Sequence, residues 1–60
     1  MSEELIERAA MLLGFMPRDE AIRELVDAGV EPSLAFLAAC AGEILLADAM
    51  RDALTGARNE

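Results

Sequence analysis

Sixty residues with a formal net charge of -7, a single cysteine and no histidine exclude most of the devices that stabilise a very small domain. A chain this short buries only about 60% of the surface its unfolded form exposes. Cys40 cannot form a disulfide within the chain, and without His or a second Cys there is no structural zinc site and no His-based acid, base or nucleophilic chemistry.

The elements follow from their punctuation. A first helix is expected over about residues 3–13, capped by Ser2, with Glu3 and Glu4 in the first turn where the helix dipole favours them. Leu5, Ile6, Ala9, Leu12 and Leu13 recur at helical spacing on one face, while Met11 lies on the other side with Glu4, Glu7 and Arg8. Gly14 ends the run. A second helix is expected over 17–28, opened by Pro17 and closed by Gly29, with Ile22, Leu25 and Val26 as its apolar stripe. Its outer face reads Arg18, Asp19, Glu20, Arg23, Glu24 and Asp27, a solvated face on which Arg23 can pair with Asp19 or Asp27 at four-residue spacing.

The third helix starts at Pro32 and is expected to run to Leu54, about 35 Å, roughly the length of the other two together. Residues 56–60 read as a frayed polar tail. The fold class is therefore all-α: three helices in one domain, with a long apolar third helix, assembling as an oligomeric bundle.

That helix carries most of the information. At 100° per residue, Leu37, Cys40 and Ile44 gather on one side, Leu34, Ala38, Ala41 and Leu45 on the next, and Phe36, Ala47 and Leu54 nearly opposite. A strip of small residues, Ala35, Ala39, Gly42, Ala49 and Ala53, fills the remaining sector, interrupted by Leu46. Apolar residues on all sides call for cover on all sides. Two short helices cannot supply it.

Two arrangements compete. A hairpin of the first two helices on the N-terminal half leaves Ile44, Leu45, Leu46, Met50 and Leu54 without a partner in the chain. Alternatively the first helix covers the distal half and the second the proximal half, leaving the small strip open. Either one predicts a homodimer or a larger closed oligomer, with Ala35, Ala39, Gly42, Leu46, Ala49, Met50 and Ala53 as the expected contact between copies. Composition agrees: 55% of residues are hydrophobic, against roughly 45 to 50% in an average domain.

Twelve acidic residues stand against Arg8, Arg18, Arg23, Arg51 and Arg58, with no lysine. Nucleic acid is a poor partner for such a chain, and a basic surface on another protein is a better one. The acidic candidates for that contact are Glu20, Glu24 and Asp27. Absence of lysine beside abundant Ala, Arg and Gly matches a GC-rich coding sequence and points to a bacterial or bacteriophage source. The acidic start, Glu3, Glu4 and Glu7, is unlike a signal peptide, and the uncharged run Pro32 to Gly42 is short for a membrane span, which needs about 20 residues. A cytoplasmic protein with a reduced, buried Cys40 and no membrane contact is the expectation.

No catalytic constellation emerges. Carboxylates recur at four-residue spacing as Glu3 and Glu7, Glu20 and Glu24, and Asp48 and Asp52, but dinuclear carboxylate bundles add a Glu-x-x-His that this chain cannot make. Asp48 and Asp52 flank Arg51 on an apolar helix and are placed to rim an interface. The expectation is a non-enzyme with no cofactor and no metal.

Residues Leu13, Gly14 and Phe15, followed by "DEAIREL" and "EPSLAFL", resemble the pattern of ubiquitin-associated domains over about residues 5–38. The resemblance implies a three-helix interaction module in which Leu13, Gly14 and Phe15 contact ubiquitin. The longer link through Met16 and Pro17 and the long third helix depart from that pattern, and the plain reading has Gly14 as a cap and Phe15 as a core plug. The stretch "DAGVEPSLAFLAACAGEILLADAM" is also similar in style, size and charge to small acidic helical proteins of bacteriophage genomes, some of which block host defence proteins or sequester their signals. Three functions follow as expectations: an inhibitor or adaptor acting on another protein, a ubiquitin-associated-like module, or a small-ligand-sequestering helical oligomer.

Overall fold

A computed structural model of the chain describes residues 2–58, and among these all regular structure is helical: α1 (Glu3–Leu13), α2 (Arg18–Asp27) and α3 (Pro32–Arg58). Ser2 caps α1 as its residue type suggests, adopting extended geometry while its Oγ accepts the Leu5 N–H at 3.2 Å. Bonds from the Gly14 and Phe15 N–H groups to the Met11 and Leu12 carbonyls, both 3.1 Å, tighten the last turn of α1. Pro17 stands just outside α2 as its cap rather than within it, and α2 is one residue shorter at each end than expected.

The end of α2 is a Schellman motif. The Val30 N–H donates to the Leu25 carbonyl and the Gly29 N–H to the Val26 carbonyl, each at 3.0 Å. Gly29 takes a φ of +106°, which a side chain would oppose. Val30 then packs on the buried cluster that contains Leu25, so the local stop is also a tertiary contact.

α3 passes Leu54 and Gly56 and continues to Arg58, further than the sequence suggested. A single glycine costs a helix interior only about 1 kcal/mol relative to Ala, so it does not stop one that is otherwise favoured. Of the expected frayed tail, residues 59 and 60 lie outside the described residues.

The core is small and made chiefly of alanine. Ala9, Ala21, Leu25, Ala35, Ala38 and Ala39 have no exposed surface, and Leu25 is the one large side chain among them. Leu5, Leu12, Ile22, Val26 and Val30 pack around this cluster, as the stripes of α1 and α2 require. The hairpin arrangement is thus the one found: α1 and α2 cover the proximal half of α3. Gly42 marks where α1 crosses. A Cβ there would lie 2.8 Å from the Ala10 backbone nitrogen and 3.0 Å from the Ala9 Cβ, so the two backbones meet with no room for a methyl group.

This corrects one expectation. Ala35, Ala39 and Gly42 are buried inside the chain, because the close approach that small residues permit is taken by α1 and α2. In this arrangement they are not available to a second copy. Two further corrections concern single residues. Phe15 is 75% exposed rather than plugging the core, because the turn before Pro17 carries it out of the α1 stripe. Cys40 is half-buried rather than buried, since it lies on the side of α3 that neither short helix covers.

Candidate interaction surface

Ala35, Ala38, Ala39 and Gly42 form one stripe along α3, and helical periodicity carries that stripe on through Leu45, Leu46, Ala49 and Ala53, with Met50 at its edge. α1 crosses the stripe at Gly42, and beyond that point it opens to solvent. Leu46 is half-buried, Leu45 is 40% and Met50 60% exposed, and Ala49 and Ala53 are exposed. Four of the seven residues expected at an interface therefore lie together on an accessible surface, and three do not.

Two shallow grooves share Leu46. One, of about 290 Å³, is lined by Glu7, Ala10, Met11, Leu45, Leu46 and Ala49. The other, of similar volume, brings Leu13, Met16 and Pro17 against Leu46, Ala47 and Met50, with Arg18 and Glu43 at its edge. Arg18 Nε lies 3.4 Å from Glu43 Oε2 and ties the start of α2 to α3. Both side chains are nearly half exposed, so the pair contributes no more than about 1 kcal/mol.

Met11 and Leu45 line this surface although neither was in the expected contact set; Leu45 was expected to lack a partner in the hairpin arrangement, and Met11 was placed on the charged face of the first helix. Met11, 65% exposed, had a signal: an apolar side chain on a charged face has no reason to be there unless something covers it. Leu45 projected onto a neighbouring sector, and only the position of α1 shows that the open stripe includes it. Leu13 is half-buried in the second groove, while Gly14 and Phe15 are exposed in the α1–α2 connection.

The acidic groups are arranged apart from these grooves as well as beside them. Glu20, Glu24 and Asp27 are all exposed on α2, together with Asp19, and no polar or charged residue among the described residues is buried. Arg51 Nη1 pairs with Asp48 Oδ1 at 3.0 Å one turn back. Among the described residues Arg23 joins neither ion pair, so its expected pairing with Asp19 or Asp27 is not what the structure contains. No group of three or more His, Cys, Asp and Glu side chains among the described residues is placed to hold a metal ion.

By length and composition alone, α3 can cross a membrane: Pro32–Gly56 spans 25 residues, and its most apolar 18-residue window has at most two charged side chains. Length therefore does not argue against a span, as the shorter uncharged run had suggested. Only 22% of that window is buried within the chain, which leaves α3 more open than the central helix of a covered core.

No family model matches the chain, and neither a curated protein nor a solved structure matches it.

Proposed function

We propose that this chain is a non-enzymatic binding protein that assembles with copies of itself and acts as an inhibitor or adaptor of another protein in a bacterial or phage setting. The observation that carries the reading is the large apolar surface left uncovered at Met11, Leu45 and Met50, within an exterior whose acidic side chains are exposed. Exposed apolar patches rimmed by charge are surfaces for association. The assembly uses the distal part of α3, and the acidic outer face of α2, Glu20, Glu24 and Asp27, meets a basic surface on the target. Glu43, Asp48, Arg51 and Asp52 recur along the distal helix, and a lipid core would have to accept them at a cost of several kcal/mol. This favours a protein partner and a cytoplasmic setting.

The test has two arms. Light scattering at micromolar concentration measures the solution mass, and a monomer would end the self-association half of the proposal. Affinity capture with the wild type and a Glu20→Arg, Glu24→Arg double variant examines the other half. A captured partner with a basic surface, lost on charge reversal or in high salt, supports the reading, whereas undiminished capture by the variant removes the acidic face from it.

Exposure of Phe15 favours a second reading, the ubiquitin-associated-like module, because a ligand-contacting aromatic must be accessible and a core plug must not. Titration with ubiquitin, followed by amide chemical shifts at Leu13, Gly14 and Phe15, distinguishes the two. Unchanged shifts at these residues remove it.

A further inference from the structure

We propose that the distal half of α3 pairs with the same segment of a second copy, antiparallel about a two-fold axis near Arg51, so that Ala49 of each chain faces Ala53 of the other. The inference rests on the self-association in the reading above and adds its surface, direction and register.

Area identifies the occupant. The chain exposes 4392 Å², whereas a compact monomer of 6.4 kDa exposes about 3,800 Å². The excess of about 600 Å² matches the lower end of what each partner buries in a stable interface, about 600 to 1,000 Å². Shape says where it lies. The radius of gyration is 12.6 Å, against about 10 Å for a compact chain of this length, and the 42 Å long axis is little more than the length of α3 itself, about 40 Å. Leu34, Phe36, Leu37, Ile44 and Leu54 share that surplus on the other sides of α3, and the part that continues the stripe buried further back by α1 and α2 is Leu45, Ala49, Met50 and Ala53 at its distal end.

Direction follows from α1. It crosses the stripe at Gly42, and a helix with its side chains is about 10 Å thick. Parallel pairing would set both copies of α1 at one level between the two α3 axes and hold the distal stripes apart. Antiparallel pairing places the two α1 helices at opposite ends, each against the tip of the other chain's α3. Isologous two-fold contacts of this kind are the commonest form of self-association.

Register follows from the open length. The run of exposed residues begins beyond Leu46 and extends to Gly56, and its midpoint falls near Arg51. Symmetry about that point sets Ala49 opposite Ala53, and two alanines let the helix axes approach to the short end of the usual range of about 8 to 10 Å. Glu43, Asp48, Arg51 and Asp52 all project at about 90° or more from the centre of the stripe, so a chain of net charge -7 can pair here without burying like charges.

In a Cys40→Ala background, chains carrying Ala49→Cys and Ala53→Cys are oxidised separately and as a mixture, after circular dichroism has established wild-type helicity. A dimeric mass, with the mixed pair crosslinking several-fold faster than either chain alone, is the expected result. A dimeric mass with no preference for the mixed pair overturns this pairing and leaves self-association standing. A chain that is monomeric at micromolar concentration, or that binds phosphatidylcholine vesicles as a monomer, overturns both.

Discussion

The backbone nitrogen of Ala10 lies 2.8 Å from the place a Cβ on Gly42 would occupy, so α1 and α3 touch backbone to backbone at their crossing. Alanine is favoured over glycine in a helix by about 1 kcal/mol, but overpacking a closed contact costs about 1 to 3 kcal/mol. The methyl group meets main chain, which cannot swing aside. Gly42→Ala should therefore lower stability by about 1 to 2 kcal/mol, and a urea midpoint at or above that of the wild type would disprove the close crossing.

Gly29→Ala should be destabilising for a different reason. Nothing lies within 4 Å of a Cβ at this site, but the residue holds a φ of +106°, which costs an L side chain about 1 to 2 kcal/mol. Asn tolerates positive φ better than Ala, so Gly29→Asn should recover part of the loss. Equal loss in both variants would point away from backbone strain.

Among the described residues Leu25 is the sole large side chain with no exposed surface, and its truncation should be the most damaging among them. Leu→Ala at such a site costs about 2 to 5 kcal/mol, while a core of this size rarely supplies more than about 3 to 5 kcal/mol. Far-ultraviolet circular dichroism of Leu25→Ala should report a largely unfolded chain at 25 °C. A cooperative melt close to that of the wild type would show that stability resides elsewhere.

Phe15→Ala, by contrast, should leave the fold intact. At 75% exposure the ring adds little to packing, and exposed substitutions fall within about 0.5 kcal/mol. A drop in the thermal midpoint comparable to that of Leu25→Ala would return Phe15 to a core role. Retained stability makes Phe15→Ala a clean probe for partner binding.

Two arginine substitutions on the same stripe should behave in opposite ways. Ala39 has no exposed surface, so Ala39→Arg forces a charge into the buried interior and should unfold the chain, making it useless as a measure of association. Ala49 is exposed, and Ala49→Arg should keep its helical spectrum while lowering the mass measured by light scattering. An undiminished oligomer in that variant would place the contact on another face.

Helix positions, their caps and the outward position of Met11 were legible in the residues because each depends on local chemistry: Ser2 on a free N–H, Pro32 on a fixed φ, Gly29 on a positive φ. The excess of apolar surface was legible too, since composition and length set it. Which half of the α3 stripe would be covered was not legible. Ala35, Ala39, Ala49 and Ala53 are the same residue at the same helical phase, and nothing local distinguishes the two pairs. Only the crossing of α1 at Gly42 does so, because a backbone contact there is a property of two segments about thirty residues apart. The tertiary structure likewise decided that Phe15 faces outward, through the turn that precedes Pro17. Sequence alone determined that the long helix has more apolar surface than its own chain can bury; tertiary packing decided that the small-residue stripe is closed in its proximal half and open in its distal half, since a short α1 can close over it at one place only.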